Sequence, residues 1–303
     1  MTNMAKAGKK NTNVPNLRFP EFDEEWEEKT LGEICEMQAG KFVSASEIKE
    51  QHFDGLFPCY GGNGLRGYTK SYNYDGKYSL IGRQGALCGN VNFANGKFHA
   101  TEHAVVVTPL NGINTVWMFY LLTNLNLNQF ATGMAQPGLS VQNLEKVEST
   151  IPKAIDEQEK IASFLTLIDG RISTQNKIIE ELKLLKIVVS QKIFSRQLRL
   201  KDDKGKEFSN WEIKKLEEIC EKKSSSISAN KIENNFGEYL IYGASGILKK
   251  VDFYEEENDY VSIVKDGAGV GRLFYCNGRS SVLGTMDIVK PKDTTSAYFY
   301  FVY

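Results

Sequence analysis

Residues 156–199 read DEQEKIASFLTLIDGRISTQNKIIEELKLLKIVVSQKIFSRQLR, and this stretch predicts one long helix between two similar segments. Alternating steps of four and three residues from Ile161 mark a seam whose polar positions are Gln175 and Lys186. The apolar seam positions are Ile161, Leu165, Ile168, Ile172, Ile179, Leu182, Val189 and Ile193. An apolar repeat of about 3.5 residues sustained this long predicts a coiled-coil-type spacer or docking helix that packs lengthwise against another helix. The alternative is an amphipathic helix lying on the core of its own domain.

The length and composition predict a soluble chain of two domains. A single hydrophobic core stops growing at about 250 to 300 residues, and this chain has 303. Its hydrophobic share of 41% and charged share of 25% are ordinary for globular proteins. A formal net charge of −1 argues against a surface that binds polyanions everywhere. Residues 60–100 carry five basic side chains against one acid, Asp75, so this block predicts a local phosphate-facing surface.

The five cysteines give no sign of a disulfide framework or a zinc site. They are odd in number, scattered, and without a Cys-x-x-Cys pair, which fits a reducing cytoplasm. The basic N-terminus has no apolar segment behind it, and no run of roughly 18 apolar residues occurs. We therefore expect a cytoplasmic protein with neither an export signal nor a membrane span. Residues 1–13 are expected to form a disordered basic tail.

A duplicated segment accounts for most of the chain. At a shift of 185 positions, Trp26, Leu31, Ile34, Cys35 and Glu36 recur as Trp211, Leu216, Ile219, Cys220 and Glu221. At a shift of 182, Tyr60, Gly61, Gly64, Tyr78, Ile81, Gly85, Ala86 and Gly89 recur as Tyr242, Gly243, Gly246, Tyr260, Ile263, Gly267, Ala268 and Gly271. The change of shift indicates a small deletion in the variable stretch after Glu36. The pattern predicts duplication of a whole domain rather than a short-period solenoid.

Within each copy, short apolar segments separated by Gly and Asn-Gly turns predict a mixed sheet rather than βαβ units. The predicted strands are 78–82, 91–93, 104–108, 260–264, 273–276 and 286–290. A helix is predicted over 115–125, and Ser140 is predicted to cap a short turn through Leu144. The predicted fold class is α+β, with two repeated mixed α/β domains separated by the long helix.

The predicted boundaries are 14–154 for the first domain, 155–200 for the spacer helix and 201–303 for the second domain. Under the repeat, Tyr303 corresponds to Leu121, so 122–199 has no second counterpart. We therefore expect a truncated second copy, without a second spacer helix to cover the apolar seam. Exposed apolar surface of this size favours self-association, so the isolated protein is expected to aggregate or dimerise. A monodisperse monomer in light scattering would contradict this expectation.

Two motifs imitate metal or cofactor sites. His99-Ala-Thr-Glu-His103 matches a zinc-peptidase pattern, which requires two histidines one helical turn apart, but the residues that follow predict a strand. Gly267-Ala-Gly-Val-Gly271 imitates a dinucleotide-binding turn, but 272–278 predicts a strand and a turn where that motif needs a helix. We therefore predict no metal site, and we interpret these glycines as tight-turn residues.

No catalytic constellation is recognisable in the sequence. It has no Gly-x4-Gly-Lys-Ser/Thr loop, no Asn-Pro-Pro-aromatic or Asp-Pro-Pro-Tyr segment of an amino-methyltransferase, and no convincing nucleophile with a base. With three histidines in the whole chain, catalysis by this chain alone is not expected. A duplicated domain without catalytic residues, joined by a rod, predicts a two-headed binding protein rather than an enzyme.

Several stretches together carry a family resemblance. Leu17-Arg-Phe-Pro-Glu-Phe22 is followed by Trp26 and Leu31-Gly-Glu-Ile34, with a weaker echo over 205–219. Further on come Ile151-Pro152, Glu157-Gln158-x-Lys160-Ile161-Ala162, Leu165, Asp169, Ile172, 182–186 and Gln191-Lys-Ile-Phe194. Over nearly its whole length the chain resembles the specificity subunit of type I restriction-modification systems.

This resemblance implies two target-recognition domains, each contacting one half of a bipartite double-stranded DNA site in the major groove. It implies two helices that run antiparallel between the domains and set the half-site spacing. Methyltransferase subunits, two in number, and restriction subunits would dock around this scaffold. The resemblance also implies that S-adenosylmethionine, ATP and magnesium are bound by those partner subunits, and that this chain binds no cofactor of its own.

For base contacts we select polar residues of the predicted turns, because arginine pairs with guanine and asparagine or glutamine with adenine. The candidates are Asn63, Arg66, Lys70, Arg83, Gln84 and Gln136 in the first copy and Lys249, Lys250, Lys265 and Arg272 in the second. For each of them the alternative is a solvated surface side chain. The competing hypotheses for the chain are a stand-alone DNA-binding regulator whose rod forms a homodimer, a silent specificity cassette and, on the histidine pattern alone, a metal-dependent peptidase.

Overall fold

A computed structural model describes residues 14–85, 87–133 and 138–293. The chain folds into two compact units that divide after Ser195. Each unit contains one copy of the sequence repeat, and the long helix belongs to the first unit. The predicted tail 1–13 and the candidate residue Gln136 lie outside the described residues.

The first unit is built on one large mixed sheet. Its described strands are β1 (Glu27–Thr30), β2 (Cys35–Ala39), β3 (Phe57–Gly61), β4 (Gly64–Thr69), β5 (Tyr74–Gly82), β6 (Val91–Ala100), β7 (Ala104–Pro109) and β8 (Glu148–Ile151). The sheet has the order β2-β7-β5-β6-β3-β4, and β3 runs parallel to β6. Strands β1 and β8 pair separately as an antiparallel ribbon.

Short helices cover one face of this sheet. The helices described in this unit are α1 (Leu31–Ile34), α2 (Thr115–Asn124), α3 (Val141–Glu145) and α4 (Ile155–Phe194), with 3₁₀ turns at Ala45–Glu47 and Leu127–Phe130. The side chain of Asn114 caps α2 by accepting hydrogen bonds from two backbone N–H groups of the first turn. Ser140 caps α3 by accepting from the N–H of Asn143. The predicted helix over 115–125 and the predicted cap at Ser140 are therefore confirmed.

Apolar residues pack on both faces of the large sheet. Beneath α2, Ile81 and Val105 are buried together with Met118 and Leu122 of that helix. The opposite face carries a second cluster made of Leu80, Ala94, Phe98, Ala100, Ala104 and Val106, partly covered by Tyr60, Tyr74 and Tyr78. Two cores arise because successive residues of a strand point to opposite faces of the sheet.

The second unit repeats this architecture with one strand divided in two. Its described elements are α5 (Leu216–Ile219), β9 (Cys220–Ser224), α6 (Ala229–Ile232), β10 (Tyr239–Gly243), β11 (Gly246–Val251), β12 (Tyr260–Val264), β13 (Leu273–Cys276), β14 (Ser280–Val282) and β15 (Met286–Pro291). They form the sheets β13-β12-β15-β9 and β11-β10-β14. These sheets correspond to β6-β5-β7-β2 and β4-β3-β6, since β13 and β14 together match the single long β6. Arg279, with a left-handed φ of 50°, lies at the break.

The predicted fold class is confirmed, because two mixed α/β domains of the same topology carry the long helix between the repeats. Every strand predicted in the sequence is observed. Strand β6 is longer than predicted, since it continues through Asn95-Gly96, which has the sequence of a turn. In the ladder Gly96, with φ 82°, pairs with Gly76, with φ 137°, so two glycines in positive-φ conformations carry the strands past this point.

Helix α4 has 40 residues, which corresponds to a length of roughly 60 Å. At its start Ala162 is buried in the core of the first unit, and the Tyr120 hydroxyl donates to Oδ2 of Asp169 at 2.7 Å. From Thr166 to Val188 every residue is exposed. The helix ends at Phe194, short of residue 199, because Arg196 adopts a left-handed φ of 62°.

The apolar seam predicted along α4 is divided by this geometry. Ile161, Leu165, Val189 and Ile193 are half-buried, whereas Ile168, Ile172, Ile179 and Leu182 are exposed. The seam is therefore an exposed apolar stripe over the middle of the helix. Among the described residues, no helix is long and apolar enough to cross a membrane.

Candidate nucleic-acid interface

A cleft of about 500 Å³, here called cleft 1, opens between two turns of the first unit. One wall is the β3–β4 turn, residues 61–66, and the other is the segment 84–85 that follows β5. Its polar side chains are those of Asn63, Arg66, Gln84 and His103. Cleft 1 thus presents amides, a guanidinium and an imidazole to one opening.

Glycines make cleft 1 possible, because its two walls touch through their backbones. Gly64 adopts a φ of 91° in the β3–β4 turn. A Cβ added to Gly82 would overlap the carbonyl oxygen of Gly62, and one added to Gly62 would lie 3.2 Å from the carbonyl oxygen of Gln84. Small residues on both walls therefore bring the turn of Asn63 against the segment of Gln84.

The polar side chains of cleft 1 are largely uncommitted. Asn63, Arg66 and Gln84 are exposed, and their side chains make no hydrogen bond or ion pair with any described residue. Nε2 of His103 lies 3.3 Å from Oε1 of Glu102. The other carboxylate oxygen of Glu102 is buried and has no hydrogen-bond partner among the described residues. Side chains without internal partners remain able to bind a ligand.

The structure brings three of the six residues predicted in the first copy into cleft 1, namely Asn63, Arg66 and Gln84. Lys70 is exposed at the end of β4, away from this lining. Arg83 is half-buried, and its backbone N–H donates to the carbonyl oxygen of His103 at 2.9 Å. Arg83 therefore shapes the wall that carries Gln84.

Cleft 2, of about 370 Å³, lies at the equivalent place in the second unit. A shift of 182 residues relates the two linings, so that Asn63, Arg66, Gln84 and His103 correspond to Ser245, Leu248, Asp266 and Thr285. Arg272 also lines cleft 2. Asp266 and Arg272 are exposed, and in the described part of the chain neither side chain has a hydrogen bond or an ion pair. The two repeats therefore carry equivalent clefts with different chemistry.

The lysines predicted in the second copy differ in their availability. Nζ of Lys249 donates to the carbonyl oxygens of Ile232 at 2.9 Å and Glu233 at 3.1 Å, and it lies 4.0 Å from the centre of the Phe236 ring. Nζ of Lys265 lies 3.3 Å from Oδ1 of Asp287.

Lys250, in contrast, is exposed on β11. Lys249 and Lys265 are thus bound within their own unit, whereas Lys250 and Arg272 point to no internal partner among the described residues. Four polar residues of the cleft linings were missing from the sequence candidates, namely His103, Ser245, Asp266 and Thr285. The 182-residue shift carried the signal for two of them, because it places Ser245 at the position of Asn63 and Asp266 at the position of Gln84.

The zinc-peptidase pattern is not a helical metal motif. His99 lies on β6 and is 6% exposed. Its Nδ1 lies 3.1 Å from the Ser71 hydroxyl and its Nε2 lies 3.0 Å from the carbonyl oxygen of Lys41. His99 is therefore a hydrogen-bonded core residue. In the described ranges no group of three or more His, Cys, Asp or Glu residues is placed to hold a metal ion.

The dinucleotide-like glycines are also turn residues, as predicted. Gly267 and Gly271 have φ values of 90° and 86°, and strand β13 begins at Leu273 where a nucleotide-binding motif would need a helix. All five cysteines are buried and free.

A buried carboxylate anchors the start of α4. Glu157 is 1% exposed, and its two oxygens accept hydrogen bonds from Nε and Nη2 of Arg18, each at 2.7 Å. The indole N–H of Trp26 donates to the same carboxylate at 3.1 Å. Glu157 thus joins the N-terminal segment to the long helix, and Lys160 with Glu21 and Phe164 with Phe19 form further contacts between them.

Its neighbour Gln158 joins the helix to the rest of the first unit. Gln158 is 1% exposed, and its Oε1 accepts from the N–H of Asn114 at 2.8 Å. Its Nε2 donates to the carbonyl oxygens of Pro152 at 3.0 Å and Gly112 at 3.3 Å. Glu157 and Gln158, the first two residues of the Glu-Gln-x-Lys-Ile-Ala motif, therefore fix the start of α4 to the first unit.

Comparison with known families finds two matching segments, one in each copy of the repeat. The family model described as the type I restriction modification DNA specificity domain matches residues 23–184 and 208–303. The chain belongs to this family. The two matched segments coincide with the two copies of the specificity domain, and the first match extends into α4.

Curated members of the specificity family resemble the chain to different extents. The EcoprrI specificity subunit of Escherichia coli is 50% identical over 154 residues, which is 50% of this chain and 38% of that protein. A putative type I specificity subunit of Mycoplasma pneumoniae is 24% identical over 310 residues, covering 95% of this chain and 78% of its own length. The chain thus spans well under half of the first relative.

A solved structure shares the specificity-domain fold. The type I restriction-modification S subunit of M. genitalium superposes with a TM-score of 0.66 over 96% of this chain and 78% of its own chain. The identity in this comparison is 18%, so the likeness concerns the fold.

Proposed function

We propose that the chain determines DNA sequence specificity in a type I restriction-modification complex, and that each unit contacts one half of a bipartite target. The observation that carries this proposal is the pair of equivalent clefts, each lined by polar side chains without internal partners, in a chain of the specificity family. A repeated fold with two different open sites suits a ligand that is long and varied along its length.

The chemistry of the cleft linings suits base edges. An arginine forms paired hydrogen bonds with guanine, and asparagine or glutamine does so with adenine, each pair contributing about 1 to 3 kcal/mol of discrimination. Arg66, Asn63 and Gln84 supply these groups in cleft 1, and Arg272 supplies one in cleft 2. The proposal retains Lys70 and Lys250 as candidate DNA contacts and does not depend on Lys249 or Lys265, whose ammonium groups are bound internally.

Most of the sequence-independent affinity would come from elsewhere. The net charge of −1 supplies little overall attraction for a polyanion. Methyltransferase subunits, two in number, and restriction subunits would therefore contribute phosphate contacts as well as the chemistry. In this proposal the chain itself is non-catalytic, and S-adenosylmethionine, ATP and magnesium are bound by those partners.

The experiment is to co-express the chain with the methyltransferase subunit encoded beside it and to map adenine methylation across the host genome. A bipartite motif that appears only when the chain is present supports the proposal. Stable co-purification with an unchanged methylation map would contradict it, and failure to co-purify would favour a stand-alone regulator.

A matched pair of variants sharpens this experiment. Arg66→Ala is expected to relax the motif at one position, because it removes the guanidinium of cleft 1. Lys146→Ala removes an exposed cation of the same unit outside the cleft and is expected to leave the motif unchanged. Equal effects of the two variants would contradict a role for cleft 1 in base contact.

A further inference from the structure

We propose that the two clefts contact different base edges, and that the equivalent residues Gln84 and Asp266 determine this difference. The inference rests on the proposed function and adds to it the chemistry of each half-site. Asp266 with Arg272 would select a C·G pair, whereas Gln84 in cleft 1 would select adenine.

The strand pairing and the backbone hydrogen bonds around the two clefts are equivalent, although Ala244 and Val264 stand in cleft 2 where Gly62 and Gly82 stand in cleft 1. Strands β3 and β4 meet at Gly61 and Gly64, with a register shift between Cys59 and Tyr60. Strands β10 and β11 meet at Gly243 and Gly246 with the equivalent shift between Ile241 and Tyr242. One β-bulge is therefore reproduced at the entrance of both clefts.

The second wall is also reproduced, hydrogen bond by hydrogen bond. The N–H of Arg83 donates to the carbonyl oxygen of His103 at 2.9 Å, and the N–H of Lys265 donates to that of Thr285 at 2.9 Å. The N–H of Gly89 donates to the carbonyl oxygen of Gly82, the last residue of β5, at 2.8 Å. The N–H of Gly271 donates to the carbonyl oxygen of Val264, the last residue of β12, at 2.9 Å. Gln84 and Asp266 consequently occupy the same place relative to their sheets.

The two side chains differ in what they can bond. A glutamine amide both donates and accepts, which matches N7 and the N6 amino group of adenine. An ionised aspartate only accepts, which matches the N4 amino group of cytosine. Asp266 therefore excludes base edges that present only acceptors at its position.

The surroundings of Asp266 favour a base contact over a phosphate contact. A carboxylate is repelled by phosphates, so in a DNA-facing cleft it is stabilised by an amino group that donates to it. Leu248 takes the place of Arg66 in cleft 2, and Arg272 is the cation in that lining. The donors of Arg272 match O6 and N7 of guanine, so the acceptor and the cation together match the two bases of one C·G pair.

The test is the methylation map of the co-expressed complex with reciprocal variants. Asp266→Gln is expected to change the cytosine preference at one position of one half-site by roughly 5- to 150-fold. Gln84→Asp is expected to change one position of the other half-site, from adenine towards cytosine. Glu238→Gln, an exposed acid of the second unit outside cleft 2, is the matched control and is expected to leave the motif unchanged.

Three outcomes would overturn the inference. If the unaltered complex yields a bipartite motif that neither variant changes, the inference fails and the proposed function stands. If a variant that melts like the unaltered protein and still co-purifies loses methylation equally at all sites, the cleft does not select bases. If the unaltered complex yields no motif, both proposals fail. Should Asp266→Gln melt at a lower temperature, Asp266→Asn, which keeps the side-chain shape, replaces it with the same expected result.

Discussion

Gln158 links the long helix to the loop before α2 and to Pro152 through its side-chain amide. Gln158→Leu keeps the size of the side chain but leaves the N–H of Asn114 and the carbonyl oxygen of Pro152 buried without their partner. We expect the first unit to lose about 3 kcal/mol of unfolding free energy, measured by urea denaturation. Gln175→Leu makes the same change at an exposed position of the same helix and is expected to cost less than about 0.5 kcal/mol. Similar losses in both variants would contradict this role.

Ser79, unlike Gln158, has a buried polar group that makes no hydrogen bond with any described residue. Its side chain is 1% exposed on β5, and its hydroxyl has no hydrogen-bond partner in the described part of the chain. Ser79→Ala is expected to stabilise the protein by about 1 kcal/mol, because it removes an unsatisfied polar group. Ser225→Ala is the contrast, since the Ser225 hydroxyl donates to the carbonyl oxygen of Val282 at 2.6 Å and its loss is expected to destabilise. Thermal melting of both variants checks the signs.

The sequence predicted some site residues and missed others for identifiable reasons. Arg66 and Gln84 were selected because they lie in predicted turns and can form paired hydrogen bonds with base edges. His103 was considered only as part of the zinc-peptidase pattern, which was rejected, yet it lines cleft 1. Lys249 was selected for its charge, yet its ammonium binds the end of α6, and no spacing rule reveals such a contact. The tertiary partners of a side chain decide whether it is available.

At the scale of a single element, α4 contains a glycine that nothing in its surroundings requires. A Cβ on Gly170 would meet no described atom within 4 Å. Gly170→Ala is expected to stabilise the helix by about 1 kcal/mol, because glycine has more backbone freedom to lose on folding. Gly82→Ala is expected to cost about 2 kcal/mol or more, because its Cβ would overlap the carbonyl of Gly62. Denaturation midpoints that move in the same direction would contradict this reasoning.

Element boundaries were predictable where local signals decide them. The cap at Ser140 and the helix after Asn114 follow from hydrogen bonds within a few residues. The continuation of β6 through Asn95-Gly96 depends on Gly76 in the neighbouring strand, which lies 20 residues away in the chain. Long-range pairing of this kind overrides a local turn signal.

For the molecule as a whole, pH acts on the second unit through acids whose pKa values are lowered, among them Glu256 and Asp287. Burial, the largest single influence, raises the pKa of Glu256, but hydrogen bonds from Lys223 and Lys290 outweigh it and hold the pKa below the ordinary 4.5. A hydrogen bond from Ser224, with help from Lys222 and Lys265, lowers the pKa of Asp287. Because these folded-state values lie below the unfolded ones, the stabilisation is present above the ordinary pKa and is lost as the pH falls through the folded-state pKa.

We therefore expect the urea midpoint of the second unit to stay level down to about pH 5 and to decrease as the pH is lowered further towards about pH 3. Glu256→Gln is expected to cost about 2 kcal/mol at neutral pH, since it leaves two lysines without their carboxylate, and to make the midpoint less dependent on pH. Exposed Glu238→Gln is the control and is expected to retain the full pH dependence. An unchanged pH dependence in Glu256→Gln would contradict the assignment.

The backbone contact between Gly62 and Gly82 has a kinetic consequence. A loop that orders only on binding loses about 1 to 2 kcal/mol of conformational entropy per residue, whereas the walls of cleft 1 already rest on each other through these glycines. A pre-ordered wall does not rearrange around a wrong base, so the mismatch leaves polar groups unpaired. Discrimination would then be expressed in the lifetime of the complex, with similar association rates for correct and incorrect sequences.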